Sequence, residues 1–207
     1  MPDYRIKSVH AVQVQSRRHN MAVSARVETM DGAVGKALCY AGVSVGTHEV
    51  HFQYDGGNRW GGLGCMSAVR NVNTIIADTI LGMDVRNQFE IDQAMLSIQG
   101  NGSASVGGNA IAAVSAAVLK AGAAATQMPL YRYIGGENAC MLPVPGAPAF
   151  SGGERWGGAV HTHGNKPTGA FQCFGYDSFS EASSAAWDMY HLFAKELEKR
   201  GVTEGDW

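Results

Sequence analysis

A short run, YAGVSVGTHEV from Tyr40 to Val50, places glycines on either side of one serine and ends on a histidine and a glutamate. Gly42 and Gly46 can adopt backbone conformations that other residues rarely adopt, so the run can come very close to another molecule. Ser44 and His48 supply polar side chains within it. The pattern indicates a loop that closes over a ligand, or alternatively a glycine-rich structural turn.

A second group of candidate residues lies further along the chain. His161 and His163 stand two residues apart in HTH and could face the same side of an extended segment. We consider metal binding or a catalytic role for this pair, with a solvated loop as the alternative.

Charge and composition exclude several classes of function. The 207 residues carry a formal net charge of −2, whereas a nucleic-acid-binding protein needs a basic surface. The longest apolar run, NAIAAVSAAVLKAGAAA, is too short to span a membrane and contains Lys120, so it predicts a buried helix. No signal segment follows Met1, and none of the four cysteines belongs to a C-x-x-C pair. We therefore expect a cytoplasmic protein with reduced thiols and neither a nucleic-acid nor a membrane partner.

The elements that must position these residues follow from hydrophobic periodicity. IKSVHAVQVQ and AVSARVETM read as strands, and Asp31-Gly32 predicts a tight turn into a third strand, which gives an antiparallel meander. Helical spacing then runs through LGCMSAVRNVNTIIADTIL and VRNQFEIDQAMLSI. In the first of these, the residues that recur at helical spacing are Leu63, Met66, Val69, Asn73, Ile76 and Ile80. A third helix over 109–126 is rich in alanine, so we place it at the centre of a helical layer.

A change of organisation follows this helical layer. Three prolines in MLPVPGAPAF end the helical pattern, and Ser178 with Glu181 forms a capping box ahead of a long amphipathic helix that ends at Gly201. The predicted buried face of that helix holds Ala182, Ala186, Met189, Tyr190, Phe193 and Leu197. We predict an α+β domain over residues 1–136 and the beginning of a second domain over 143–207.

In this order of elements, several motifs resemble those of the enolase family. GVSVGTHE is similar to the enolase loop Gly-Ala-Ser-Thr-Gly followed by His-Glu, and AVRNVNTIIA resembles the enolase helix Ala-Val-x-Asn-Val-Asn-x-Ile-Ile-Ala. VGGNAIAAVSAAVLKAGAAA, MPLYRYIGG and LPVP match later enolase segments in the same order. The resemblance covers most of residues 40–145 and implies that residues from 143 onward begin an enolase-type β/α barrel.

The resemblance also implies a reaction and a cofactor. Enolases remove the proton next to the carboxylate of 2-phosphoglycerate and expel the neighbouring hydroxyl, with Mg²⁺ holding the carboxylate. By resemblance Ser44 is a metal ligand, Gly42 and Gly46 are hinges, and His48 lies close to the substrate. Residues 40–59, which we call the candidate lid, would then close over a small anionic phospho-acid. A homodimer is likewise implied.

The sequence departs from the enolase pattern at the substrate-binding positions. SGGERWGG puts Arg155 where the family has a histidine, and arginine binds phosphate or carboxylate but does not carry protons near neutral pH. FQCFGY puts Gln172 or Cys173 at the place of a catalytic glutamate, and neither is a good acid. Asp206 matches an aspartate that precedes the second catalytic glutamate, whose place Trp207 takes. We expect a phosphonylated or otherwise more anionic substrate than 2-phosphoglycerate.

Two classes of function remain open at this point. By resemblance, the base and the acidic metal ligands lie beyond Trp207, so we expect the 207 residues alone to be inactive. The first hypothesis is the N-terminal portion of an enolase-type hydro-lyase. The second is a non-catalytic enolase-like binding or scaffold module.

Overall fold

The computed structural model describes residues 2–16, 20–41, 48–100, 105–150 and 169–201, with only the backbone at 147–150 and 169–170. Contacts divide the chain into two units, residues 1–42 with 47–139 and residues 43–46 with 140–207. We describe each unit separately.

The first unit begins with three strands, β1 (Ile6–Gln15), β2 (Met21–Thr29) and β3 (Val34–Tyr40), paired antiparallel in the order β1-β2-β3. The amide of Thr29 donates to the carbonyl of Ala33 at 2.9 Å, and Gly32 at the turn has a φ of 88°, which glycine adopts without strain. The predicted meander and its turn are therefore confirmed. One face of β2 is buried through Val23, Ala25 and Val27, as the alternation predicts.

The helices of the first unit follow a short 3₁₀ turn at Arg59–Gly62. They are α1 (Met66–Asn71), a π-helical stretch (Val72–Ile76), α2 (Ala77–Ile80), α3 (Gln88–Ser97), α4 (Gly108–Ala125) and α5 (Leu130–Gly135). The first predicted helix is thus confirmed as one run over 66–80, and Val69, Ile76 and Ile80 of its predicted apolar series are buried. The π-helical stretch adds a residue to the turn, Met66 remains half exposed, and Val72 is buried instead.

Helix α4 lies directly on the sheet. Its residues Ala113, Ala117 and Ala121 are fully buried, which confirms the prediction that this is the most buried helix. A Cβ atom on Gly35 of β3 would collide with the backbone of Ala117 and Ala121, so glycine lets strand and helix approach to backbone contact. Helix α4 is also the described helix that is long and apolar enough to cross a membrane, and burial against the sheet explains that composition.

The second unit contains strands β4 (Gly146–Phe150) and β5 (Gly169–Gln172), paired antiparallel, and helix α6 (Phe179–Lys199). The N-cap of the predicted capping box is confirmed, because the Oγ of Ser178 accepts from the amide of Glu181 at 3.2 Å. The Glu181 carboxylate accepts from the Ser178 hydroxyl at 3.1 Å. Gly201, with a φ of 75°, follows the helix end as predicted. Ala182 and Ala186 are buried, whereas Met189, predicted on the same face, is 38% exposed. The start of a β/α barrel stays a prediction.

Candidate functional site

Most of the predicted site residues lie outside the described part of the chain. These are Gly42, Ser44, Gly46, Arg155 and Asp206, together with the histidine pair at 161 and 163. The two predicted residues that are described belong to different units: His48 is exposed at the start of the segment 48–58, and Gln172 is exposed at the end of β5. Their roles remain predictions.

Asn109, in the first turn of α4, anchors the segment that follows the glycine loop. Its Oδ1 accepts from the amide of Gln53 at 3.0 Å, and its Nδ2 donates to the Gln53 carbonyl at 3.1 Å. Asn109 is 1% exposed, so these hydrogen bonds are shielded from water. A third hydrogen bond joins the same two elements, from the amide of Gly108 to the carbonyl of His51 at 3.0 Å. Residues 48–58, which we call the anchored segment, are therefore fastened by hydrogen bonds to the start of α4.

Two more asparagines from the enolase-like motifs bind backbone groups. Asn71 donates to the carbonyl of Val106 at 2.9 Å, which fixes the chain just before α4. Asn73 pairs with Ala11 of β1, accepting from its amide at 2.6 Å and donating to its carbonyl at 3.0 Å. An amide side chain presents a donor and an acceptor at once, as a peptide group does, so it can complete the hydrogen bonds of an irregular backbone. Asn71 and Asn73 therefore stabilise the backbone around the helices.

Asp55 binds the C-terminal part of the anchored segment to the start of α1. Its carboxylate accepts from the amides of Met66 at 2.8 Å and Ser67 at 2.7 Å, at the N-terminus of α1. Burial by itself raises the pKa of Asp55, but the two backbone amides, the Ser67 side chain and the charge of Arg70 together outweigh it, and the pKa lies below its ordinary value. A Cβ on Gly64 would collide with the Asp55 carboxylate, so glycine there admits the cap.

The described thiols of the first unit are not arranged for catalysis. Cys65 is buried, and burial raises its pKa to about 11, so it stays protonated at neutral pH. Burial likewise raises the pKa of the Cys39 thiol. In the second unit, Cys173 is buried with its Sγ 3.4 Å from the Sδ of Met189, which is a packing contact.

The family resemblance implies Mg²⁺, and we asked whether the described residues could hold it. Among residues 2–16, 20–41, 48–100, 105–150 and 169–201, no three His, Cys, Asp or Glu side chains lie close enough together to form a metal site. Mg²⁺ prefers several carboxylate and water oxygens. The described residues therefore do not form a magnesium centre by themselves, and we derive no chemical step through the metal.

Sequence reasoning missed Asn109 and Asp55, the two residues that fix the candidate lid. A signal existed for Asn109, because a buried polar residue at the first turn of an alanine-rich helix must have backbone or side-chain partners. Asp55 stands eleven residues before the amide of Met66 that it binds, and ordinary capping patterns look only three residues away.

Comparison with known proteins places this geometry in context. The family model "Enolase, N-terminal domain" matches residues 6–134. The chain is 40% identical over 199 residues to "Enolase" of Campylobacter jejuni subsp. jejuni (strain 81-176), covering 95% of this chain and 47% of that protein. It is 40% identical over 202 residues to "Enolase" of Methanosarcina acetivorans, covering 96% and 46%, and 41% identical over 198 residues to "Enolase" of Methanopyrus kandleri, covering 94% and 45%. The chain thus spans about half the length of the curated relatives it matches.

Proposed function

The chain belongs to the enolase family, and from that membership we propose that it supplies the N-terminal domain and closing loop of a magnesium-dependent hydro-lyase. The proposed substrate is a small hydroxy acid with a phosphate or phosphonate group. The reaction would remove a proton next to the substrate carboxylate and expel the neighbouring hydroxyl, with Mg²⁺ stabilising the charge that develops.

The observation that carries the proposal is the anchoring of Gln53 by Asn109, with bonds of 3.0 and 3.1 Å on a 1% exposed side chain. A loop can close reproducibly over a ligand only if one of its ends is fixed. The anchor lies five residues after His48, so residues 42–48 would move relative to a fixed stem. In this proposal Gly42 and Gly46 act as hinges, and Ser44 supplies a hydroxyl oxygen to the metal ion.

Arg155 would contact the phosphorus group of the substrate. Its guanidinium forms bidentate hydrogen bonds to phosphate or carboxylate oxygens and keeps its positive charge at every physiological pH. Gln172, a predicted catalytic residue, offers an amide but no acid, so it can orient the departing hydroxyl and not protonate it. Asp206 would supply a carboxylate nearby. We also propose a homodimer and a cytoplasmic location.

Hydrogen exchange over residues 40–59 tests the closing loop. We expect Mg²⁺ together with 2-phosphoglycerate or its phosphonate analogue to increase protection in this segment, and neither ligand alone to do so. Ser44→Ala should remove the effect, whereas Ser180→Ala, an exposed position in α6, should leave it unchanged. Equal protection with and without both ligands would show a structural turn and defeat the proposal.

A turnover assay tests the whole-protein activity. We expect the 207-residue chain alone to form no phosphoenolpyruvate from 2-phosphoglycerate with Mg²⁺, and a chain that includes the further residues of the family to dehydrate its substrate. The second candidate function is a non-catalytic binding or scaffold module, which the poor acids at 172 and 173 favour. Binding of the substrate without turnover by the longer chain would support that alternative.

A further inference from the structure

The first unit contains a cavity of about 530 Å³ to which the proposed function gives no role. It lies among β3, α3, the first half of α4 and the anchored segment, and its volume is in the range of ordinary small-molecule sites. Apolar side chains form most of its wall. These are Val50, Phe52, Leu96, Ile111 and Ala112.

The charged groups of this cavity are all acidic. Asp92 and Glu49 line it, and no Lys, Arg or His does so among the described residues. Asp92 is held in position because Gln88 Nε2 donates to both of its carboxylate oxygens, at 3.0 and 3.2 Å. The same Nε2 donates to the Oγ of Ser115 at 3.0 Å, which fixes the Gln88 side chain against α4.

The beginning of α4 adds partial positive charge to the same cavity, since Gly108 lies in its wall. A helix N-terminus is equivalent to about half an elementary charge, whereas the Asp92 carboxylate, whose partner Gln88 is neutral, by itself contributes about one full negative charge. The amide of Gly108 is also occupied by the His51 carbonyl at 3.0 Å. The cavity is therefore negative overall, and it disfavours the phospho-acids that belong to the family reaction.

We propose that this cavity is a binding site for a small organic cation: a protonated amine with an apolar or aromatic body. The apolar body would fill the space between Phe52, Leu96 and Ile111, and the ammonium would pair with the oriented Asp92 carboxylate. The proposal does not rest on the proposed function, because cavity and cation are independent of the lid residues Gly42–Gly46. Since Glu49 and Val50 belong to both the cavity wall and the anchored segment, an occupant would also stabilise the stem of the candidate lid.

The test titrates the 207-residue chain with three compounds of one shape by calorimetry at pH 7. Protonated 2-phenylethylamine is the probe, 2-phenylethanol its neutral analogue, and phenylacetate its anionic analogue. We expect the amine to bind about tenfold more tightly than the alcohol, which corresponds to one partly desolvated ion pair, and phenylacetate not to bind. Equal affinity for amine and alcohol, or no binding of the amine, would overturn the proposal.

Three variants locate the binding. Asp92→Asn should reduce amine affinity about tenfold and leave affinity for the alcohol unchanged. Asp78→Asn, an exposed acid on α2 outside the cavity, is the matched control and should change neither. Ala112→Phe, at an exposed position in the wall, should fill the space and block both compounds.

Amine binding that survives Ala112→Phe, or that Asp78→Asn weakens as much as Asp92→Asn does, would place the site elsewhere and refute the assignment. Circular dichroism tests whether each variant folds. Should Asp92→Asn fail to fold, loss of both compounds in Ala112→Phe still locates the site, and the ratio of amine to alcohol affinity in the unchanged protein still tests the ion pair.

Discussion

Asn109 binds Gln53 through both of its amide atoms, at 3.0 Å to the backbone amide and 3.1 Å to the backbone carbonyl. The pair joins residues 56 positions apart in the sequence, and it fastens an irregular segment to the first turn of the most buried helix. Because the side chain is 1% exposed, water cannot replace these bonds if one partner is removed.

Removing this anchor should cost stability and loosen the segment behind the glycine loop. We expect Asn109→Ala to lower the free energy of unfolding by about 2 to 4 kcal/mol, since two buried backbone groups lose their partner. Urea unfolding measures the loss, and hydrogen exchange at 51–55 should rise in the variant. Asn138→Ala, at an exposed position after α5, is the control. A loss below about 0.5 kcal/mol for Asn109→Ala would contradict the anchor.

The Asp55 cap should make stability depend on pH. The pKa of Asp55 is lowered in the folded protein, so its contribution is present above the unfolded pKa of about 4 and is lost as the pH falls through the folded value. Asp55→Asn carries no charge at any pH. We therefore expect the wild type to exceed this variant in stability by about 1 kcal/mol at pH 6 and to match it near pH 2. Urea unfolding at both values measures this, with Asp78→Asn as the control. A difference that stays constant with pH would argue against a charged cap.

The close approach of β3 and α4 makes position 35 intolerant of any side chain. A Cβ on Gly35 meets the backbone of Ala117 and Ala121, which cannot rotate away as a side chain could. We expect Gly35→Ala to destabilise the first unit by about 3 kcal/mol or more, beyond the usual cost of overpacking. Lys36→Ala, the exposed neighbour on the same strand, should change stability by less than about 0.5 kcal/mol. Thermal unfolding of both variants checks this, and equal melting temperatures would refute the close contact.

The altered substrate residues should change substrate preference. In the proposed site, Arg155 would add positive charge where enolases have a histidine, and Gln172 or Cys173 would lack the negative charge of the glutamate that enolases have there. Both changes favour a more anionic substrate than 2-phosphoglycerate. A chain that includes the remaining family residues should show a kcat/KM about tenfold higher for a tri-anionic analogue, and Arg155→His should reduce that preference. Faster dehydration of 2-phosphoglycerate by the unmodified protein would contradict this expectation.

The sequence predicted the parts of the fold that local physics determines. Alternation identified the buried face of β2, the Asp31-Gly32 pair identified the turn, and the alanine content of α4 identified the central helix. The helical period through 66–80 correctly identified Val69, Ile76 and Ile80 as buried. It failed at Met66 and Asn73, which are exposed, because periodicity assumes 3.6 residues per turn and the π-helical stretch at Val72–Ile76 does not follow it.

The candidate site was harder to predict because its fixed parts depend on long-range contacts. Asn73 was placed by period on the buried face, yet its role is to complete the backbone hydrogen bonds of Ala11, 62 positions away. The partners of Asn109 and Asp55 are backbone groups, and no side-chain pattern reveals which backbone group will need one. The motif resemblance pointed to the segments that contain Asn71, Asn73 and Asn109. In the structure these three side chains bind backbone groups of other segments.

The position of α4 over the sheet also has a consequence for synthesis of the chain. The meander is complete once Tyr40 has left the ribosome, but the helix that covers its apolar face ends only at Ala125. The side chains on the buried face of β2 therefore stay exposed to solvent while some 85 further residues are translated, which takes about 4 to 17 seconds at ordinary rates. These are Val23, Ala25 and Val27. During that interval the nascent chain exposes an apolar sheet face that can associate with other chains, so its yield in cells should depend on chaperones that bind the first third of the sequence.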